Sequence, residues 1–327
     1  MSIKEEIIQL FEQTPEWTVK ELTERIGASK QMVHLVLNQL MEEHVVQKLG
    51  KAPKTIYRKK REDSSVPLPS TDISPPEEEI LQKEWLAVTE TGDLLESLRA
   101  FEYWCKQRKL PVSKTLKEYI LTREKYQSYH EADGTINGMD KLKNTKGYDQ
   151  IWLDNLYYLD FYAIERFGKT RLGTLLHYAK QGQNKFLMSI MLKEIKERVI
   201  NFVKQHNINA VGFVPPTIRR EVQFMRYLQT HLQLPLPVIE IKKLSGIIPV
   251  PQKSLSKIEE RIRNAENTFA VTEQRQFGHI LLLDDAVGSG STLNQIAEKI
   301  KKKHTAIQIT GLAIVGSFKG FDVITDI

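Results

Sequence analysis

The chain has 327 residues, 41% of them hydrophobic and 27% charged, with a net charge of +6 and a single cysteine, Cys105. That length suits two or three domains with real cores, and one cysteine excludes an internal disulfide or a cysteine-rich zinc module. No apolar run reaches the length of a membrane span and no apolar signal peptide opens the chain, so a cytoplasmic protein without a membrane partner is expected.

Residues 1–61 have the spacing of a small helical domain with a β-hairpin. Ile3 to Glu12 places Ile3, Ile7, Leu10 and Phe11 on one helical face, and Thr18 with Glu21 forms a capping box for a second helix bearing Leu22 and Ile26. Gly27 turns the chain into Ser29 to Glu43, where Met32, Val33, Val36, Leu37 and Leu40 make the buried stripe. Val45 to Leu49 and Thr55 to Arg58 then flank a Gly-Lys-Ala-Pro turn as two strands. This order reads as a winged helix-turn-helix. Ser29, Lys30, Gln31 and His34 would face double-stranded DNA, and Lys51, Lys54 and Arg58 would grip its backbone from the wing. The basic positions Lys48, Lys51, Lys54, Arg58, Lys59, Lys60 and Arg61 include no acid. The alternative is a winged helix used for protein contacts, with that run a solvated edge.

Residues 62–79 read as a flexible linker, because Ser64, Ser65, Pro67, Pro69, Ser70, Pro75 and Pro76 fall among few large apolar residues. Residues 80–150 read as a helical connector: Glu77 to Arg108 and Ser113 to His130 both have helical spacing. They suit a dimerisation element, which makes a homo-oligomer one expected assembly. Cys105 is expected as a small hydrophobe among Phe101, Tyr103 and Trp104. A basic stretch, Lys141 to Lys146, precedes alternating apolar residues from Ile151 to Tyr162 that suggest strands.

Residues 151–327 have the order of an α/β domain. Ala210 to Val214, Val238 to Ile241, Ile280 to Leu283 and Ile307 to Val315 read as strands, with helices at Val222 to Leu232 and Leu293 to Lys303 between them. Right-handed crossovers make that a mainly parallel sheet. The most informative segment is His279-Ile-Leu-Leu-Leu-Asp-Asp-Ala-Val-Gly-Ser-Gly-Ser-Thr292, an apolar strand running through two carboxylates into a small-residue loop before a helix. Such a loop binds phosphate: Gly288 and Gly290 let the backbone amides approach, while Ser289, Ser291 and Thr292 add hydroxyls. Asp284 and Asp285 can accept from ribose hydroxyls. An ordinary strand-loop-helix turn is the plainer alternative.

The stretch DDAVGSGST resembles the 5-phosphoribosyl-1-pyrophosphate (PRPP) motif of type I phosphoribosyltransferases, with Gly288 where Thr or Ser is usual. Gln252 to Phe269, with Arg261, Asn264 and Phe269 in the family spacing, is similar to a segment of ComF-like phosphoribosyltransferases. So is Val214-Pro-Pro-Thr-Ile-Arg-Arg-Glu-Val-Gln223, with Glu221 where Gly is usual, and, more weakly, Leu175-Leu-His-Tyr-Ala-Lys180. The resemblance covers about Tyr157 to Ile327. It implies a type I phosphoribosyltransferase-like fold that binds PRPP with Mg²⁺, the metal arriving with the ligand. By that resemblance Arg219 and Arg220 meet pyrophosphate, and Arg261, Arg263 and Asn264 belong either to a closing loop with a catalytic part beside Asp284 and Asp285 or to a basic amphipathic helix on the surface.

The domain pairing leaves two function classes open. One is a regulator that couples PRPP or nucleotide binding to DNA binding, as the resemblance to the Gram-positive purine repressor family implies. The other is an active phosphoribosyltransferase or a nucleotide- or DNA-modifying enzyme, as a resemblance to effectors of bacterial retron defence systems implies.

Overall fold

The computed structural model describes residues 2–43, 45–50, 55–59, 73–145, 148, 150–216, 218, 220–244 and 269–317. They fall into two compact units, Met1–Thr71 and Asp72–Ile327.

In the first unit α1 (Ile3–Gln13), β1 (Glu16–Trp17), α2 (Val19–Ile26), α3 (Lys30–Glu42), β2 (Val46–Leu49) and β3 (Ile56–Lys59) follow one another. The strands pair antiparallel in the order β1-β3-β2. Ser2 and Thr18 each close a capping box with the glutamate three residues on, Ser29 accepts from the Met32 N–H, and Gly27 ends α2 at φ +72°. Ile7, Phe11, Leu22, Val33, Val36, Leu37, Leu40, Val46 and Tyr57 share one core. Met32 is not in that stripe and is 42% exposed, because it sits about 100° around the helix from Val33, at the centre of the buried face. Strand β1 was not expected, since two residues are too few to display an alternating pattern.

The basic run of this unit does have acidic partners. Arg58 Nε donates to Glu16 Oε1 at 2.7 Å and Lys59 pairs with Glu12, so α1 and β1 supply the acids that the linear run lacks. Lys48 is exposed on β2. Lys51, Lys54, Lys60 and Arg61 lie outside the described residues.

The second unit begins with α4 (Pro75–Glu84), β4 (Leu86–Val88), β5 (Leu94–Glu96), α5 (Ser97–Gln107), α6 (Val112–Gln127), β6 (Ile136–Asn137) and α7 (Met139–Asn144). Helix α4 starts inside the expected linker, where the Ser74 capping box and Pro75 in the first turn favour a helix start. The β4–β5 hairpin interrupts the single helix expected from Glu77 to Arg108, and Gly92 at φ +87° lies in its turn. Leu81, Trp85, Phe101, Trp104, Leu116 and Tyr119 share a core with the sheet residues Leu156, Ile280, Leu282 and Ala313. The segment expected as a connector is therefore one layer of this unit. Cys105 is buried in it, and that burial pushes its thiol up to about 11.

The remaining elements are β7 (Asn155–Phe161), β8 (Ala163–Ile164), β9 (Gly168–Lys169), α8 (Arg171–Gln181), α9 (Lys185–Gln205), β10 (Ala210–Phe213), α10 (Phe224–Leu232), β11 (Ile241–Lys243), β12 (Phe269–Val271), β13 (Phe277–Val287), α11 (Ser291–Lys302) and β14 (Ala306–Gly316). The main sheet runs β10-β13-β14-β7-β6, parallel except for β6 against β7, which is the mainly parallel α/β sheet expected. The period of two along β13 divides the core. Ile280 and Leu282 face α11 and the helices of the first half, whereas Leu281 and Leu283 face α8, α9 and α10. Val238 makes only an isolated bridge to Val211, and the strand expected there begins at Ile241, pairing with β12 outside the main sheet. Among the described residues no helix is long and apolar enough to cross a membrane.

Candidate functional site

The sequence pattern ends the central strand at Leu283, but β14 continues beside it and pairs Asp284 with Ala313, Ala286 with Val315 and Val287 with Gly316. Both acids therefore lie within β13, and as neighbours in a strand their side chains leave on opposite faces. The Lys180 ammonium, near the end of α8, sits 2.6 Å from Asp285 Oδ2, and both side chains are mostly withdrawn from water. Asp284 Oδ1 accepts the Asp285 N–H at 2.8 Å.

The loop that follows enters α11 directly. Gly290 caps the helix at φ +82°, a conformation that favours glycine, and a Cβ there would lie 2.7 Å from Leu142 Cδ1 and push that side chain aside. Gly288 has no such positive φ. Ser289 and Ser291 are buried, and Ser289 Oγ donates to Ser291 Oγ at 3.1 Å and accepts the Ser291 N–H at 3.3 Å. Gly288 and Thr292 are half-buried. No side-chain bond caps α11, and the positive end of the helix dipole points into the loop.

The region expected as a connector forms a wall of this site. Tyr148 donates its hydroxyl to the Ser289 carbonyl at 2.8 Å, and burial pushes that phenol up to about 12. Lys141 of α7 donates to the carbonyl and hydroxyl of Ser317, directly after β14. Sequence reasoning gave neither residue a role; Lys141 stood only in a basic stretch ahead of the strand, and Tyr148 had no signal at all.

Downstream of β10, Arg220 Nη2 donates to Gln181 Oε1 at 3.3 Å, and Gln183 Oε1 accepts the Val222 N–H at 3.0 Å. The end of α8 thus touches both the Arg220 loop and Asp285, through residues that continue the Leu175–Lys180 stretch. Arg219, Arg261, Arg263 and Asn264 lie outside the described residues. In the first unit, Ser29, Lys30, Gln31 and His34 are all exposed at the start of α3, beside Leu35, which is 63% exposed.

A cavity of about 590 Å³ opens at the carboxyl end of β7, lined by Asp160, Arg171, Glu194, Arg198 and Tyr119 among others. Burial pushes the Asp160 carboxyl up to about 6 against the favourable Phe161 N–H at 2.7 Å. Arg198 donates instead to the Gly134 and Leu159 carbonyls. An isolated acid in an apolar strand was its only trace in the sequence.

Among the described residues no cluster of three or more His, Cys, Asp or Glu side chains could hold a metal ion.

No protein-family model and no curated protein sequence matches the chain. Among solved structures it is similar to a hypoxanthine phosphoribosyltransferase from Staphylococcus aureus, at 12% identity and a TM-score of 0.25. That match covers 38% of this chain and spans 62% of the other. It is also similar to an adenine phosphoribosyltransferase from Leishmania tarentolae, at 11% identity and a TM-score of 0.27, over 43% of this chain and 77% of that one. Likeness at this level assigns neither activity nor ligand.

Proposed function

We propose that the protein is a DNA-associated sensor whose second unit binds PRPP, or the phosphate of a nucleotide, and whose first unit binds duplex DNA with an affinity that the ligand changes. The observation that carries this reading is the loop at 288–292, a glycine-serine turn at the carboxyl end of a central parallel strand that leads straight into an uncapped helix start. Open α/β sheets bind ligands at that edge, and backbone amides with a helix dipole are complementary to phosphate. The resemblance of DDAVGSGST to the PRPP motif narrows the ligand, and Mg²⁺ would enter with its diphosphate.

The order α1-β1-α2-α3-β2-β3, with the start of α3 exposed, supports a winged helix in the first unit. Sensing is favoured over phosphoribosyl transfer by the Lys180–Asp285 pair. Transfer requires negative charge at a cationic sugar, and Lys180 already neutralises one of the two carboxylates.

DNA binding measured with and without Mg²⁺-PRPP, alongside pyrophosphate release, tests the reading. A sensor changes DNA affinity without turnover, and Asp284→Asn with Asp285→Asn uncouples it. Turnover with a nucleobase or nucleic-acid acceptor that is lost in the double variant makes the protein an enzyme. Absence of both coupling and turnover overturns the PRPP assignment.

A further inference from the structure

We propose that Lys141 supplies the positive charge that neutralises a phosphate seated on the 288–292 loop, a role that rests on the phosphate site proposed above. Helix α7 packs against the loop through Leu142, the side chain that a Cβ on Gly290 would strike. The Lys141 Nζ lies 2.7 Å from Ser317 Oγ and also donates to the Ser317 carbonyl. Ser317 in turn gives its N–H to the Val287 carbonyl at 3.2 Å, so Ser317 links the ammonium to the residue that immediately precedes the loop.

The chemistry points to an anion. An ammonium has three donors, and Ser317 supplies neutral acceptors only. No carboxylate pairs with Lys141 among the described residues, unlike Lys180, which has Asp285. Partial burial holds Lys141 well below the usual lysine range, at about 8, which is the cost of keeping a charge there without a counter-charge. A neutral donor would tie α7 to the end of β14 equally well. A cation tied through Ser317 to the residue before the loop, with the loop amides and the positive end of α11 following, is complementary to a negative group shared among them.

Calorimetric titration of the full chain with Mg²⁺-PRPP, ribose 5-phosphate and inorganic phosphate tests this in wild type, Lys141→Met and Lys141→Arg. Removing one charge-assisted contact should weaken binding by roughly ten- to a hundredfold in Lys141→Met. Lys141→Arg should stay within about threefold of wild type. Lys141→Gln, which keeps a donor for Ser317, gives the same comparison should the Met variant fail to fold. Wild type that binds none of the three ligands overturns the phosphate site itself. Wild type that binds while Lys141→Met and Lys141→Gln bind equally well overturns only the role of Lys141. Loss in the Arg variant as large as in the Met variant overturns it too, because position rather than charge would then matter.

Discussion

Lys180 holds the Asp285 carboxylate at 2.6 Å, joining the end of α8 to the central strand across a pair whose side chains are only 17% and 15% exposed. The same helix end binds the loop after β10 through Gln181 and Gln183. One helix terminus thus joins the strand end to the neighbouring loop.

Breaking the pair from one side leaves a mostly buried charge alone, which costs more than removing both partners. Lys180→Met should destabilise the second unit by about 2 kcal/mol, and Lys180→Met with Asp285→Asn by less than the sum of the single changes. Urea unfolding of the singles and the double measures this. Additive losses would show that the two groups do not interact.

The two glycines of the loop should respond differently. Gly290→Ala combines a left-handed backbone with a contact on Leu142, and a loss of about 2 kcal/mol is expected; Gly288→Ala should cost under about 1 kcal/mol. Unfolding midpoints decide it. Equal losses would mean that the loop is not held in this conformation.

Asp160 should give the second unit a pH dependence. Its folded-state carboxyl is raised to about 6 from an ordinary value of 3.8, so between those values the folded chain holds a proton that the unfolded chain has released. The stabilisation is therefore complete below about pH 4 and is lost as pH rises through about 6, on the order of 3 kcal/mol in all. Asp160→Asn should flatten stability in that window. An unchanged pH profile in the variant would place the titration elsewhere.

The acids that pair with the basic strand should restrain DNA binding. Glu12→Gln with Glu16→Gln frees Lys59 and Arg58 from exposed pairs worth about 0.5 kcal/mol each, so duplex affinity should rise severalfold at low salt and less at high salt. Replacing Lys51, Lys54 and Arg58 should do the reverse and flatten the salt dependence. Fluorescence anisotropy of labelled duplex across a salt series reads both. If the acid variants leave affinity unchanged, DNA does not meet that face.

The sequence by itself determined the features that depend on residues a few positions apart. The Thr18–Glu21 capping box, the Gly27 turn, the apolar run Ile280–Leu283 and the small-residue loop before α11 all satisfy local geometric demands. Tertiary structure decided whatever needs a distant partner. Strand β13 reaches Val287 because β14 runs alongside it, and the helix expected from Glu77 breaks where Trp85 enters the aromatic core. Charge was the least legible property. Arg58 meets Glu16 from 42 positions away, Lys180 meets Asp285 from 105, and Lys141 meets Ser317 from 176. A side chain's electrostatic role is set by what packs beside it and how much water remains, and neither is written in its sequence neighbours.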